Sequence, residues 1–136
     1  DRKKFKKQVF AKLENLTQKI DNETLTEYDI RNAIRELSEE FNISFGQAQK
    51  PINVILKYHF FLTRDNNSPV KKKLDCPLDS IILKKLNRSG YRLKSIDEQV
   101  YIELQNEIYS KTNRCRIDFD IEWDIQNLRD EGLLDE

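Results

Sequence analysis

The sequence predicts an all-α fold: a single compact bundle of five or six helices that spans residues 1–136 as one domain. Glycine and proline are scarce, with three of each in 136 residues, whereas an all-β domain needs many turns. Apolar residues recur at intervals of three and four in several segments, and capping residues precede most of them. A chain of this length can bury a core without disulfides or a metal.

The first two predicted helices come from apolar stripes with recognisable ends. Residues 2–20 carry one apolar face, which we expect to pack on the domain itself, although so basic a helix also suits a membrane or an acidic partner. Thr26 is suited to cap the second helix, because its hydroxyl can accept a hydrogen bond from a free backbone N–H. That helix should end near Asn42, since asparagine tolerates the left-handed conformation.

The densest apolar run of the chain begins just after Ser44. Ser44 with Gln47 matches a capping box, but a helix that began there would hold Pro51 in its interior, which removes a hydrogen bond and introduces a kink. We therefore expect a short turn over residues 45–49 and a main helix over residues 50–62. This main helix is apolar nearly all round, which predicts that it lies at the centre of the domain.

A surface loop and a short helix are expected next. Residues 63–73 have a loop composition. The segment Cys76-Pro77-Leu78-Asp79-Ser80 predicts a helix start, either with Pro77 at the first helical position or with Asp79 as the cap. The apolar residues expected to face the core here are Leu78, Ile81, Ile82 and Leu86.

The last clear helix follows a second polar loop at residues 87–94, in which Gly90 should be the left-handed residue. Ser95 and Glu98 match a capping box that opens this helix. Its apolar residues recur every four positions: Ile96, Val100, Leu104 and Ile108.

The C-terminal segment is ambiguous, because apolar and charged residues alternate over residues 115–125 as in a strand. Acidic residues at a first turn and Gly132 at the far end suit a helix over residues 119–131 instead. No other stretch alternates in a way that would give a strand its partner, so we expect the helix.

The sequence lacks the common catalytic and cofactor-binding motifs, so no cofactor is predicted. Cys76 and Cys115 form no CxxC, and the single histidine cannot complete a metal cluster. We interpret the two cysteines as reduced thiols of a cytoplasmic protein. No apolar run approaches the roughly 20 residues of a membrane span.

The net charge is zero, but the middle of the chain is basic and its tail is acidic. Such asymmetry indicates either a phosphate-facing surface or docking of the acidic tail on the basic middle. The leading hypothesis is a small non-enzymatic module that binds nucleic acid or another protein through the basic surface of residues 64–94. The predicted nucleic-acid-binding residues are Lys71, Lys72, Lys73, Lys84, Lys85, Arg88, Arg92 and Lys94.

Residues 42–86 carry a second pattern, in which Ser44-Phe45-Gly46 is followed by Lys50 and then by Cys76-Pro77-Leu78-Asp79-Ser80. This pattern resembles the core of the helix-hairpin-helix DNA glycosylases. The resemblance implies that Ser44-Phe45-Gly46 is the hairpin, with backbone amides on a DNA phosphate. It also implies that Lys50 is the amine nucleophile that forms a Schiff base at the sugar, and that Asp79 is the carboxylate that helps expel the base.

A third hypothesis is a protein-interaction module, including a homodimer joined through Trp123 and its apolar neighbours.

Overall fold

The computed structural model describes residues 1–112, 114–119 and 129–132. These residues are mostly helical and contain no β-strand, so the all-α prediction is confirmed. The five α-helices are α1 (Arg2–Asp21), α2 (Glu27–Phe41), α3 (Phe45–Thr63), α4 (Ser80–Lys85) and α5 (Glu98–Lys111). Two 3₁₀ helices precede α4 and α5, at Pro69–Lys73 and Leu93–Ser95 respectively.

The first two helices begin and end as their sequences predict. Asp1 caps α1, because its Oδ1 accepts a hydrogen bond from the N–H of Lys3 at 2.9 Å. Thr26 caps α2 in a full capping box: its hydroxyl accepts from the N–H of Asp29 at 3.2 Å, and the Asp29 carboxylate accepts from the N–H of Thr26 at 2.9 Å. α2 ends at Asn42, which is left-handed with φ of 52°. The predicted cap and end of the second helix are confirmed.

The predicted start of the central helix was wrong. No turn precedes a main helix at residues 50–62; α3 runs without a break from Phe45. The capping box decides this, because the Ser44 hydroxyl accepts from the N–H of Gln47 at 2.9 Å and Gln47 Oε1 accepts from the N–H of Ser44 at 3.0 Å. Pro51 lies inside α3 and leaves the Gln47 carbonyl without its helical donor. Because Gln47 is exposed, its carbonyl can bond to water instead.

The short helix α4 is capped by Asp79, the second of the two predicted alternatives. Asp79 Oδ1 accepts a hydrogen bond from the N–H of Ile82 at 2.8 Å. The prediction for Ile81 was wrong, because this side chain is 46% exposed whereas Leu83 is buried. A helix that starts at residue 80 turns positions 82, 83 and 86 inward and position 81 outward.

Two loop predictions also need correction. Residues 63–73 are not loop throughout, because Ser68 caps the 3₁₀ helix Pro69–Lys73 and Val70 is buried within it. The left-handed residue after α4 is Asn87, with φ of 59°, and not Gly90. Asn87 closes the helix end, since the next N–H reaches back five residues to a carbonyl oxygen.

The cap predicted for α5 was misplaced by two residues. Asp97 is the cap, and its Oδ1 accepts from the N–H of Val100 at 2.9 Å. Ser95 ends the second 3₁₀ helix, where its hydroxyl donates to the carbonyl of Arg92 at 2.9 Å. Three of the four apolar positions predicted here are buried: Ile96, Leu104 and Ile108.

One core cluster joins the helices, and α3 packs against α1, α2 and α5. The central place predicted for this helix is therefore confirmed. The largest fully buried side chains include Leu16, Ile20, Ile30, Ile34, Leu37, Ile52, Leu56, Phe60 and Tyr101.

The helix predicted over residues 119–131 and the Trp123 contact fall largely or wholly outside the described residues. Ile117 and Phe119 are described, and both belong to the core cluster. The extension of the single domain to residue 136 stays a prediction.

Candidate interaction surface

Residues 74–78 form a fully buried segment without helix or strand, and the backbone is extended at Leu74 and at Asp79 just after the segment. A buried segment without a neighbouring strand needs other partners for its backbone polar groups. Gln49 of α3 supplies both bonds for Leu78: its Nε2 donates to the carbonyl at 2.7 Å and its Oε1 accepts from the N–H at 3.1 Å. Gln105 of α5 does the same for Cys76, at 2.7 and 2.9 Å.

Asp75, whose carboxylate has no exposed surface, is the centre of a buried ionic network. Arg31 donates two hydrogen bonds to this carboxylate, at 3.2 and 3.3 Å. Arg116 Nε lies 3.0 Å from its Oδ1, without the alignment of a hydrogen bond. The Tyr101 hydroxyl donates to its Oδ2 at 2.6 Å. Glu27 lies 3.1 Å from Arg116. Two carboxylates therefore balance two guanidinium groups, as burial of charge requires.

The network fixes the protonation of its members. Burial acts to lower the pKa of Arg31, but attraction to Asp75 outweighs it, so the pKa is raised. Burial raises the pKa of Tyr101 well above its usual range, and the neighbouring Asp75 carboxylate raises it further. Arg31 thus stays charged and Tyr101 stays neutral near neutral pH, which is the behaviour of a structural centre and not of an acid–base pair.

α3 turns polar side chains toward the interior. Gln49, Asn53 and Lys57 recur every four residues on its buried side, with exposed fractions of 0, 1 and 8%. Asn53 Nδ2 donates to Gln49 Oε1 and to the Tyr101 hydroxyl, both at 2.9 Å. Gln49 and Asn53 serve the buried network and the segment of residues 74–78, and they are therefore not available to cover the outside of the helix.

The outside of α3 is apolar. Ile55, Tyr58 and Leu62 are 38, 58 and 83% exposed, and their spacing of three and four places them on one stripe. Half-buried apolar residues flank this stripe. We call the set the outer face of α3; it consists of Pro51, Val54, Ile55, Tyr58, Phe61 and Leu62. Contiguous exposed apolar surface marks interaction sites in folded proteins.

Lysines border one edge of the outer face. Lys50 and Lys57 are seven residues apart, about two helical turns, so they lie on the same edge. Lys57 Nζ is 5.2 Å from the centre of the Tyr58 ring. Lys71, from the first 3₁₀ helix, extends the row, because its Nζ is 5.9 Å from the centre of the Phe61 ring. We call Lys50, Lys57 and Lys71 the lysine edge. α3 itself contains no acidic residue. Of the three lysines, Lys50 is exposed, Lys57 is 8% exposed and Lys71 is ion-paired with Asp118.

The cations predicted to bind nucleic acid differ in their surroundings. Lys71 Nζ lies 3.0 Å from a carboxylate oxygen of Asp118. Lys85 Nζ lies 4.6 Å from the ring centre of Phe119, the residue that follows Asp118 in the chain. Residues 118–119 therefore bring these two lysines close to each other, and an acidic group partly neutralises them.

The remaining six predicted cations differ in their exposure and position. Arg88 is paired with Glu107 of α5 at 3.2 Å. The other five are exposed: Lys72, Lys73, Lys84, Arg92 and Lys94. Lys94 belongs to the second 3₁₀ helix, whose Leu93 carbonyl accepts from Ser44 at the start of α3. Lys71 contacts residue 61, which is 16 residues further along α3 than residue 45, or about 24 Å. Binding of nucleic acid by these eight residues stays a prediction.

The residues implied by the glycosylase resemblance are also described. Ser44, Phe45 and Gly46 are the cap and first turn of α3 and not a hairpin. The N–H of Gly46 donates to the Ile96 carbonyl at 2.9 Å, so it is not free for a phosphate. Lys50 is exposed. Because the Asp79 carboxylate caps α4, it already has a structural role. Catalysis by Lys50 and Asp79 stays a prediction.

Metal-binding clusters and membrane-spanning helices are both absent from the residues that the structure describes. The described part of the chain holds no group of three or more His, Cys, Asp or Glu side chains that could bind a metal ion. Cys76 and Cys115 are not in disulfides. None of the helices in the described ranges combines the length and the apolar character needed to cross a membrane.

No protein-family model matches the chain, and no curated protein or solved structure matches it significantly.

Proposed function

We propose that this chain is a protein-interaction module whose outer face of α3 binds an acidic amphipathic helix of a partner protein. The observation that carries the proposal is an exposed apolar stripe on α3, a helix that also buries polar side chains. Its polar stripe of Gln49, Asn53 and Lys57 is buried, and its stripe of Ile55, Tyr58 and Leu62 is exposed.

The apolar stripe supplies the affinity in this proposal. Burial of apolar surface is worth about 25 cal/mol per Å², and an amphipathic helix laid on a helical surface anchors residues at spacings of three, four and seven. Tyr58 and Leu62 are the most exposed members of the outer face, at 58 and 83%. They have the most surface to bury and are the expected hot spots.

The lysine edge supplies the preference for an acidic partner. Lys50, Lys57 and Lys71 lie along one side of the apolar stripe, and the sequence of α3 contains no acidic residue, although Asp118 is paired with Lys71. Opposite charges across an interface raise the association rate and exclude partners of the wrong sign. A partner helix with Glu or Asp along one edge of its apolar stripe matches this arrangement.

A protein suits the outer face better than nucleic acid does. Single-stranded nucleic acid is held by aromatic rings that stack with bases and by cations that follow the phosphates. Ile55 and Leu62 are aliphatic and offer no ring for stacking. These exposed aliphatic side chains can pack against an apolar side chain of a partner protein, but they cannot bind a phosphate.

The test is a binding titration with two designed helical peptides of about 16 residues, long enough to span roughly 24 Å of α3. Both carry the same leucine stripe; one has glutamates along its edge and the other has lysines. We expect the acidic peptide to bind and the basic peptide not to bind, as measured by fluorescence anisotropy. Leu62→Ser should weaken the acidic complex roughly 30-fold, the effect of losing about 2 kcal/mol at a hot spot.

Tyr28→Ser is the matched control, because Tyr28 is 68% exposed and lies on α2, away from the outer face. It should leave the affinity unchanged. Equal binding of the two peptides, no binding of either, or no effect of Leu62→Ser would count against the proposal. Sedimentation equilibrium adds one more outcome: a homodimer that Leu62→Ser dissociates would make a second copy, and not an acidic partner, the occupant of this face.

A further inference from the structure

The N-terminal third of α1 carries a second charged surface that the proposed function does not use. Five cations occur within its first six positions, and all are exposed. We call them the α1 basic cluster; they are Arg2, Lys3, Lys4, Lys6 and Lys7. Lys6 Nζ lies 5.8 Å from the ring of Phe10. Across the described residues, none of the five is within ion-pair distance of a carboxylate.

The cluster differs from the cations of the middle of the chain. There, Lys71 is paired with Asp118 and Arg88 with Glu107. Further along α1, Lys12 is paired with Glu36 of α2 at 2.6 Å. The start of α1 therefore concentrates five exposed cations without an acidic partner among the described residues, whereas in the middle of the chain two cations are ion-paired and five are exposed.

Helix stability does not account for the position of the cluster. The N-terminal end of a helix carries a partial positive charge, so cations there are unfavourable by a few tenths of a kcal/mol each. α1 has no acidic residue in its first turn, and Asp1 alone caps it. Five mutually repelling cations at this end lower the stability of the helix, and an external polyanion would relieve that repulsion.

A membrane is not the polyanion that fits. A helix that lies on a lipid surface inserts its apolar stripe among the acyl chains. The apolar stripe of α1 is buried in the core of the domain, since Val9, Leu13 and Leu16 are at most 5% exposed. Phe10, at 54% exposed, is the one large apolar side chain of α1 left outside.

We infer that the α1 basic cluster binds the phosphodiester backbone of duplex nucleic acid without reading its sequence. Phosphate neutralisation needs only exposed cations and releases counterions from the duplex. The cluster lacks the stacking platform that single strands require, because its two nearby rings are already engaged: Phe5 packs against Phe41, and Lys6 approaches Phe10. This inference is independent of the proposed function, because the outer face of α3 takes no part in it.

The test uses the full chain and a fluorescent DNA duplex of about 20 base pairs, titrated at several salt concentrations. Five phosphate contacts predict a slope near −4.5 for log affinity against log salt, or about a 500-fold loss between 50 and 200 mM salt. Replacing Lys3, Lys4, Lys6 and Lys7 by Gln leaves one cation, so the slope should fall to about −1. Circular dichroism should show an unchanged helix content, since Gln and Lys have similar helix propensity.

The matched control removes the same charge from the middle of the chain. Lys72, Lys73, Lys84 and Lys94, all exposed, are replaced by Gln, and this variant should keep the steep slope. A steep slope in the α1 variant together with its loss in the control would overturn the inference. So would wild-type protein that fails to bind the duplex at 50 mM salt, or that binds vesicles of phosphatidylserine but not DNA. Leu62→Ser should leave duplex binding intact, which separates this test from that of the outer face.

Discussion

The buried network around Asp75 differs from the exposed surfaces of α1 and α3. Its charged groups are paired with one another, whereas those surfaces expose apolar side chains or cations without an acidic partner among the described residues. In the network, two guanidinium groups meet two carboxylates and a tyrosine hydroxyl within a few ångströms. On α1, five cations face solvent without an acidic partner. On α3, apolar side chains face solvent while polar ones are buried.

This comparison separates the residues that stabilise the fold from the surface residues that can bind a partner. The network joins α2, α3 and α5 to the buried segment 74–78 and to Arg116, so its charges are used in holding the chain together. Neither the α1 basic cluster nor the outer face of α3 contributes in that way.

The largest effect should come from Asp75→Asn, which keeps the shape of the side chain and removes its charge. Arg31 and Arg116 would then be buried beside a neutral amide, and removing one partner of a buried pair costs about 3 to 5 kcal/mol. Urea unfolding should show this loss as a lower midpoint. Glu14→Gln removes an exposed carboxylate and should change the stability by less than about 0.5 kcal/mol. Equal midpoints for the two variants would mean that the network is not structural.

Gly46→Ala should have the next largest effect, and Gly90→Ala is its control. A Cβ at Gly46 would lie 2.3 Å from the Leu93 carbonyl oxygen and 2.8 Å from Ile96 Cβ. Overpacking of this kind costs about 1 to 3 kcal/mol, although alanine otherwise favours a helix over glycine. A Cβ at Gly90 meets nothing within 4 Å. Thermal unfolding should therefore show a clear loss for the first variant only; a stabilised Gly46→Ala protein would contradict this packing.

The smallest effect should be the acid dependence of the Arg35–Glu98 pair, whose side chains are 37 and 32% exposed. The hydrogen bond from Arg35 outweighs burial and lowers the pKa of Glu98 below its ordinary 4.5. A lowered pKa in the folded state gives stability that is present above pH 4.5 and is lost as the pH falls through the folded value. Glu98→Gln should cost less than about 1 kcal/mol at pH 7 and nothing at pH 2. A constant difference across this range would exclude the ion pair as its cause.

Local patterns in the sequence were sufficient for much of the fold. The apolar stripes of α1, α2 and α5 predicted three helices, and Thr26 and Asn42 gave the bounds of α2, because caps act over only a few residues. The start of α3 was mispredicted since two local signals conflicted there. The capping box at Ser44 and the break at Pro51 point to different starts, and the cost of a proline depends on whether its orphan carbonyl can reach water.

The exposed apolar stripe and the buried polar side chains of α3 were beyond the reach of sequence patterns. A run of apolar residues predicts a buried helix, and polar residues within it are expected to face outward. Gln49 and Asn53 face inward because the segment of residues 74–78 and Tyr101 need partners, and both of those are distant in sequence. The spacing of four between Gln49, Asn53 and Lys57 was the one available signal.

The pairing of the basic residues could not be predicted either. Lys71 and Arg88 find their acidic partners 47 and 19 positions away, through the tertiary fold. A count of charges along the sequence weights these cations equally with those of α1. The fold pairs Lys71 and Arg88 with carboxylates and leaves the α1 basic cluster without an acidic partner among the described residues, and our inference of a polyanion site on the first helix is based on this contrast.

The most direct test of the account is a map of backbone amide shifts in ¹⁵N-labelled protein titrated with the acidic peptide and, separately, with the duplex. We predict that the peptide perturbs the amides of residues 52–62 and that the duplex perturbs those of residues 2–10, with the amides of residues 74–76 and 78 unchanged in both titrations. Perturbation of one common set of residues by both ligands, or of the middle cations at residues 71–94 by the duplex, would contradict the division between paired and available surfaces.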